Sequence, residues 1–383
     1  MPGIECRCSG GDYEMGEQQG QVLAVKVHGL RERLADLEAF RMQQPFWLPY
    51  PAFLRLAEWT AKRTLGAALQ RSATGALERV RGIAAGARCP LGGVCLLNAM
   101  EAHLGSCEGH IDTAPLGACS TVAIRRSRSA DGRPVVAKNF DYIPLAQPFY
   151  FLRESRPRGG YRSLDFAVAP QAGTIDGVNE HGLCITLNYA FLLDSGRPAP
   201  LITMLIAEAL ARCKDVAGAL DYIRQRPRWG SGILMLADDG GELVSLELSS
   251  SRSAVRRPAP GEDWLAFTNV CRCSETCAAQ VPESARFSER VPLPLRGRPV
   301  LEWHTTRSSR IETLVRSCGT LGTKELAAIM ADHGPQGQPD GSSPCVHTEY
   351  WRTTAALQWL PSTRSVRAWY GTACTAQYVH LSL

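Results

Sequence analysis

Residues 119–142 read CSTVAIRRSRSADGRPVVAKNFDY, and this stretch decides the fold. Two β-rich runs flank an Asp-Gly dipeptide, a pattern typical of a β-hairpin. Cys119 stands at the head of the first run. If the peptide bond before it breaks, Cys119 carries a thiol and also a free α-amine with a pKa near ~7.7–8.0. One residue then supplies both nucleophile and base, without a histidine.

Composition limits the classes of protein to consider. The chain has 383 residues, of which 45% are hydrophobic and 21% charged, which is typical of a soluble globular protein of one large domain or two. The net charge of +5 is not gathered in a basic tail, so we expect no nucleic-acid partner. We also expect no signal peptide, no membrane segment and a cytoplasmic location. The fourteen cysteines are then interpreted mostly as reduced thiols.

Helical and β patterns occur in blocks along the chain. Helices are predicted over 14–43, 52–84, 92–104, 199–212, 215–225, 307–317 and 323–331. After the hairpin, strands are predicted over 164–169, 172–179, 182–189, 232–237, 243–248 and 264–268, with three more in the tail. Blocks of strands and helices favour an α+β fold with two stacked sheets between helical layers.

Three polar residues end predicted strands. Asp141 closes the hairpin near Cys119, where its carboxylate could orient the new α-amine; the alternative is a turn aspartate. Asn188 and Asn269 each follow a β-rich run. An asparagine amide can stabilise an oxyanion without titrating, although either residue could simply end its strand.

Arginines and hydroxyl groups begin a predicted helix at HTTRSSR, residues 304–310. An arginine there can lower the pKa of a nearby thiol or hold a substrate carboxylate. The spacing permits either Arg307 or Arg310 in that role, and the alternative is that both lie in solvent.

Two cysteine clusters invite a metal interpretation, at Cys6-x-Cys8 and Cys271-x-Cys273-x3-Cys277. Neither has the paired spacing of a zinc ribbon, so surface thiols are favoured over zinc or redox sensing. We expect no metal and no cofactor. His333 and His347 are given structural roles, although a thiol–histidine pair with Cys119 or Cys345 is an alternative.

The order of these motifs resembles the acyl-CoA:6-aminopenicillanate acyltransferase-like family of N-terminal-nucleophile hydrolases, related to choloylglycine hydrolases and acid ceramidases. The resemblance extends from about residue 10 to 380. It rests on GDYEMG with Gln19-Gly20, GARCPLGGVCLLNAMEA, Cys119-Ser120-Thr121, Lys138-Asn139-Phe140-Asp141, GVNEHGLCITLNY, FTN, Arg307 with Arg310, and GTAC at 371–374.

The resemblance implies a four-layer αββα fold and autocatalytic cleavage between Ala118 and Cys119. Residues 1–118 would stay bound as a small subunit, and residues 119–383 would form the catalytic large subunit. Lys138 stands where a choloylglycine hydrolase has an arginine, which argues against bile-salt chemistry.

The resemblance also implies the site residues. Cys119 would be the nucleophile, with its amine as base and Asp141 orienting that amine. Asn188 and Asn269 would hold the oxyanion and the substrate, and Arg307, with Arg310 second, would be the active-site arginine. The expected substrate contacts are Arg310, Tyr142 and Tyr189.

The sequence therefore predicts an autoprocessing enzyme that forms an acyl-Cys119 intermediate from a small-molecule amide or acyl thioester. The acyl group would pass to water or to an amine. Two alternatives are an unprocessed relative that only binds a small molecule or a partner, and a thiol enzyme that uses a histidine. Whether the chain forms a homo-oligomer stays open.

Overall fold

The computed structural model describes residues 3–105, 112–194 and 196–383. Fourteen strands lie within these ranges. They are β1 (Cys6–Gly10), β2 (Gly117–Ile124), β3 (Val135–Tyr142), β4 (Tyr150–Pro157), β5 (Ser163–Val168), β6 (Asp176–Asn179), β7 (Cys184–Tyr189), β8 (Gly232–Ala237), β9 (Leu243–Leu248), β10 (Ser253–Arg256), β11 (Trp264–Phe267), β12 (Arg352–Leu360), β13 (Ser365–Trp369) and β14 (Tyr378–Ser382). The predicted hairpin is confirmed as β2 and β3, which pair antiparallel along their whole length.

Twelve α-helices lie in the same ranges. They are α1 (Asp12–Val22), α2 (Ala24–Arg33), α3 (Glu38–Arg41), α4 (Tyr50–Ala61), α5 (Ala67–Ser72), α6 (Thr74–Gly86), α7 (Leu91–Gly105), α8 (Ile202–Arg212), α9 (Val216–Arg224), α10 (Ser274–Cys277), α11 (Glu302–Ser317) and α12 (Thr323–Met330). A short π-helical segment joins α4 to α5. None of these helices combines the length and apolarity that a membrane span requires.

The strands form two sheets. One has eight strands in the order β1-β4-β5-β6-β7-β8-β9-β10, and the other has six in the order β11-β2-β3-β12-β13-β14. All neighbouring strands pair antiparallel except β1, which lies parallel to β4. Sequence analysis did not predict β1 or β4. The N-terminal segment thus adds an edge strand to the larger sheet.

Alternation of side chains along the strands creates three apolar layers. In β2, Val122 and Ile124 pack outward against α11 and α12, whereas Cys119 and Ala123 join the core between the sheets. On the far side of the other sheet, α8 and α9 cover strands β7 to β9. The order helix, sheet, sheet, helix confirms the predicted four-layer αββα architecture.

The thiols of Cys6 and Cys8 are buried, and their sulfur atoms lie 3.2 Å apart. Their interpretation as surface thiols is therefore wrong. Both side chains point to the same, buried face of β1 because they are two residues apart on a strand. Helix α1 packs on β1, and α6 packs on α1.

Candidate active site

Cys119 is the third residue of β2 and is 3% exposed. It lies opposite Phe140 of β3, and both side chains belong to the core between the sheets. The peptide bond between Ala118 and Cys119 lies inside the same strand, because Ala118 is still paired with Asp141. In the intact chain the thiol is therefore enclosed by the sheet that contains its own peptide bond.

Asn269 holds the backbone nitrogen of Cys119. Its Oδ1 atom accepts a hydrogen bond from that nitrogen at 3.0 Å, and its Nδ2 atom donates to the carbonyl oxygen of Tyr189 at 2.8 Å. Asn269 comes two residues after β11, the strand that pairs with β2, so the sheet itself brings it to Cys119. The nitrogen that cleavage would turn into an amine already has an oriented acceptor.

Arg307 joins Asn269 to Asp141. Its Nη1 atom donates to Asp141 Oδ2 at 3.2 Å, and its Nη2 atom donates to Asn269 Oδ1 at 3.3 Å. The same Nη2 atom donates to His304 Nδ1 at 2.8 Å. All four side chains are buried. The planar, forked guanidinium suits this role because it can donate to several acceptors at fixed angles.

His304 is held in its neutral form. Burial lowers the pKa of its imidazole well below the usual value, and the charge of Arg307 lowers it further. Because Nδ1 accepts from the guanidinium, the ring proton lies on Nε2. From the sequence, His304 was predicted only to lie at the start of a helix. Its position one turn before Arg307 was the feature that could have indicated a contact between the two side chains.

Asp141 is bonded on both carboxylate oxygens. Besides Arg307, Thr353 of β12 donates its hydroxyl to Asp141 Oδ1 at 2.6 Å. Burial raises the pKa of Asp141 to about 6, against the opposing effects of Arg307 and Thr353. Sequence analysis expected this carboxylate to orient the amine. In this structure the carboxylate accepts from Arg307 and Thr353, and Asn269 contacts the Cys119 nitrogen, so the orienting role of Asp141 stays a prediction.

A second buried ion pair lies between the sheets. Lys138 of β3 donates to Asp176 Oδ1 of β6 at 2.6 Å, and both side chains are fully buried. Burial raises the pKa of the Cys119 thiol to about 12, whereas the charge of Lys138 lowers it. Lys138 is therefore the cation that acts most directly on the thiol. The sequence singled out Lys138 as part of the Lys138-Asn139-Phe140-Asp141 motif, but it did not indicate Asp176 as the partner.

The side chain of Asn188 makes hydrogen bonds both to β2 and to the residue that follows β11. Its Oδ1 atom accepts from the Thr121 hydroxyl at 2.8 Å, and its Nδ2 atom donates to the carbonyl oxygen of Thr268 at 2.8 Å. Thr121 lies two residues after Cys119 on the same face of β2, and Thr268 precedes Asn269. Asn188 thus contacts the strand of Cys119 through Thr121 and not through Cys119 itself.

The two tyrosines line small cavities beside the site. Tyr189 borders a cavity of about 50 Å³, and Tyr142 borders another of about 40 Å³. Glu101 of α7 lines both, and burial raises the pKa of its carboxyl group. Burial likewise holds the pKa of Tyr142 well above its usual value, and the neighbouring Glu101 raises it further.

Arg310 lies one turn after Arg307 and forms an ion pair with a different carboxylate. Its Nε and Nη2 atoms donate to the two carboxylate oxygens of Asp332 at 2.9 and 2.8 Å. The structure thus brings Cys119, Asp141, Asn269 and Arg307 into one network and directs Arg310 to Asp332.

The cysteine-rich stretch at 271–277 is held by hydrogen bonds to the carboxylate of Glu247. The Glu247 carboxylate accepts from the backbone nitrogens of Arg272 and Cys273 and from the hydroxyl of Thr276. Cys271 is buried, so the surface-thiol interpretation is wrong for it, whereas Cys273 is half-buried and Cys277 is exposed.

Several solved structures are similar to the chain at low identity. One is an N-acylethanolamine-hydrolyzing acid amidase ortholog from Caenorhabditis elegans, at 13% identity and a TM-score of 0.43, covering 64% of this chain and 93% of that one. A conjugated bile acid hydrolase variant from Clostridium perfringens has 14% identity and a TM-score of 0.42, covering 69% and 92%. Penicillin V acylase from Agrobacterium tumefaciens has 13% identity and a TM-score of 0.41, covering 69% and 86%.

A search of curated proteins found no match. The sequence model of the acyl-coenzyme A:6-aminopenicillanic acid acyl-transferases matches residues 127–319, just over half of the 383 residues. The matched region includes Asp141, Asn188, Asn269 and Arg307 and begins after Cys119. The chain belongs to the acyl-coenzyme A:6-aminopenicillanic acid acyl-transferase family.

Proposed function

We propose that the chain cleaves itself between Ala118 and Cys119, and that the new N-terminal Cys119 forms an acyl-enzyme from an amide or an acyl thioester. One observation carries this proposal. The nitrogen of Cys119 is bonded to Asn269, which Arg307 links to Asp141, so residues from separate segments converge on that single peptide bond. An ordinary strand residue does not need such a network.

Cleavage begins with an N-to-S acyl shift. The Cys119 thiol loses its proton and its sulfur attacks the carbonyl carbon of Ala118. The C–N bond then breaks, the nitrogen takes up a proton, and Ala118 becomes a thioester on Cys119. Water hydrolyses that thioester and leaves the Ala118 carboxylate, a free thiol and a free amine. The charge of Lys138 favours the thiolate in a site where burial opposes it.

The intact chain is a closed precursor in this account. Cys119 is 3% exposed, and the paired strand residues Gly117 and Ala118 occupy the end of the sheet. Departure of these residues would open space directly before the nucleophile. The remaining N-terminal segment would be retained, because β1 pairs with β4 and α1 packs on β1.

In turnover the free amine acts as the general base. Its pKa near ~7.7–8.0 allows it to accept the thiol proton at neutral pH and to return it to the leaving group. Asn269 Oδ1, which accepts from this nitrogen in the intact chain, would orient the amine. Arg307 would fix Asn269 and Asp141, and the second N–H of the Asn188 amide is the proposed oxyanion donor.

The acyl donor is an amide or an acyl thioester, and the acceptor is water or an amine. Membership of a family named for acyl-coenzyme A as donor supports the thioester. Both donors present the same electrophilic carbonyl to the thiolate. Transfer to an amine requires that the site exclude competing water.

The test is to trap the acyl-enzyme. Purified wild type is incubated with a mixed set of acyl-coenzyme A thioesters and N-acyl amines, quenched with acid, and weighed by mass spectrometry. We expect an acyl adduct on the fragment that begins at Cys119. Cys119→Ala should remain one chain of 41.7 kDa without an adduct, whereas the control Cys318→Ser should behave as wild type.

Two outcomes would contradict the proposal. A folded wild type that stays in one piece would favour an unprocessed binding protein. An adduct that Cys119→Ala retains would favour a different nucleophile.

A further inference from the structure

Four potential metal ligands from three separate segments meet outside the proposed active site. His333 follows α12, Cys345 and His347 lie in the loop before β12, and Cys374 lies in the turn between β13 and β14. One donor atom from each residue falls within 4.8 Å of the others, and no other such group occurs in residues 3–105, 112–194 and 196–383. We propose that these four residues bind one Zn²⁺ ion.

The distances fit a tetrahedral site. His347 Nε2 lies 3.3 Å from Cys345 Sγ and 3.5 Å from Cys374 Sγ. A zinc ion with Zn–S bonds of about 2.3 Å and Zn–N bonds of about 2.0–2.1 Å separates its sulfur and nitrogen ligands by about 3.6 Å. A small adjustment of the side chains would therefore admit the ion.

His333 provides an independent observation. Its Nε2 atom is buried and has no hydrogen-bond partner among the described residues. Its ring stands edge to face with that of His347, with centroids 5.2 Å apart. Buried ring nitrogens are usually satisfied, and a metal bond would satisfy this one.

The donor set selects zinc. Two thiolates and two imidazoles form the Cys₂His₂ set of closed structural zinc sites. The two thiolate charges neutralise the ion, so the half-buried site carries no net charge. Four protein ligands leave no open position for water, and the site is therefore structural.

A thiol–histidine catalytic pair explains the cluster less well. Cys345 is fully buried, so a substrate has no access to its sulfur. His347 Nε2 also contacts two thiols at once, whereas a catalytic base activates one.

The ion would hold the loop that supports the Asp141 network. In this loop, Gly341 accepts from Arg307 through its carbonyl oxygen, and the nitrogen of Val346 donates to Thr353 Oγ1 at 2.9 Å. Thr353 in turn donates to Asp141. Cys345 lies beside Val346, and Cys374 anchors it to the turn between β13 and β14. The four ligands thus act as positioning residues.

The test measures metal directly and does not depend on cleavage. The full chain, purified without chelator, is analysed by inductively coupled plasma mass spectrometry. We expect about one zinc per chain in wild type and in the Cys318→Ser control, whose thiol is half-buried as that of Cys374 is. Cys374→Ser and His347→Ala should lose most of the metal.

If these variants do not fold, cobalt titration of wild type still tests whether the site binds a metal. Metal-free wild type titrated with Co²⁺ should develop tetrahedral d–d bands and a thiolate-to-cobalt charge-transfer band, saturating at about one equivalent. Wild type that purifies without zinc and shows no cobalt band would overturn the proposal. So would a Cys345–Cys374 disulfide, detected by counting thiols in denatured protein before and after reduction.

Discussion

Helix α11 carries two arginine–aspartate pairs one turn apart, and burial gives them opposite properties. Arg307 and Asp141 are 1% and 0% exposed, whereas Arg310 and Asp332 are 26% and 19% exposed. Burial raises the pKa of Asp141 to about 6. The hydrogen bonds from Arg310 instead lower the pKa of Asp332. The same two residue types thus form two different ion pairs. The inner pair, Arg307–Asp141, belongs to the buried network at Cys119, and the outer pair, Arg310–Asp332, is partly exposed.

This difference predicts unequal consequences of mutation. An exposed ion pair contributes about 0–1 kcal/mol to the free energy of unfolding, because water screens the charges. Removing one partner of a buried pair costs about 3–5 kcal/mol, because it leaves the other charge without compensation. The inner and outer pairs should therefore respond differently to the same substitution.

The largest difference is expected between Arg307→Lys and Arg310→Lys. A lysine at 307 keeps the charge, but its single ammonium nitrogen cannot reproduce the planar fork in which one Nη atom reaches Asp141 and the other reaches Asn269 and His304. Since the Cys119 nitrogen loses its fixed acceptor, we expect self-cleavage to slow by about 10²-fold. Arg310→Lys should leave the rate near wild type and change the free energy of unfolding by less than about 1 kcal/mol.

Cell-free translation measures this difference, because the intact chain is made at a known time. The appearance of the large fragment is followed by gel electrophoresis, and folding is checked by thermal unfolding. Equal cleavage rates for the two variants would show that Arg307 contributes no more to self-cleavage than Arg310 does.

A smaller effect is expected in the pH dependence of stability, from Asp141→Asn. A raised pKa means that the folded state favours the protonated carboxyl. Its contribution to stability is thus complete below the unfolded pKa of about 3.9 and is lost as the pH rises through about 6. The stability of the protein with Asp141, relative to that of the Asp141→Asn variant, should therefore fall by at most roughly 3 kcal/mol over that interval.

Denaturant unfolding between pH 4 and 7 checks this sign, with both proteins carrying Cys119→Ala so that the chain stays intact. The charged groups that act on Asp141 are Arg307 and Lys138, and both are present in the two proteins compared. A stability difference that grows with pH would show that Asp141 is stabilised as a carboxylate, as the outer Asp332 is.

The smallest effect is expected from the hydroxyl of Thr353. Thr353→Val removes the hydrogen bonds to Asp141 and from Val346, which should cost about 1–3 kcal/mol because both partners stay buried. Thr353→Ser keeps the hydroxyl and should recover most of that loss. Thermal unfolding of the three proteins makes the comparison. Equal losses in the two variants would show that the shape and packing of residue 353, and not its hydroxyl, account for the loss.

Sequence alone predicted the frame of the molecule well. The alternation of apolar and polar residues in 119–142 indicated the central hairpin. The predicted strands at 232–237 and 243–248 have the same bounds as β8 and β9. Cys119, Asp141, Asn269 and Arg307 were named because each stands at the end of a predicted strand or the start of a predicted helix and also matches a motif of the family that the sequence resembles.

The contacts within the network could not be predicted in the same way. Arg307 and Arg310 are three residues apart, so a helix places them on nearly the same face, and only packing against β3 and the loop after α12 separates them. Thr353 looked like an ordinary strand residue. Its contact with Asp141 depends on the long-range pairing of β12 with β3.

Long-range pairing also explains the missed strands and the missed cluster. β1 is a polar five-residue segment, and it is a strand only because β4 offers a parallel partner. The cysteines and histidines of the proposed zinc site come from three segments, so no local spacing indicated them. The expectation of a chain without metal rested on local spacing alone.

The most direct test of self-cleavage is N-terminal sequencing of freshly purified wild type. The account predicts a large fragment that begins Cys-Ser-Thr-Val, with the 1–118 segment co-purifying. An undivided chain, or a fragment that begins at any other residue, would contradict it.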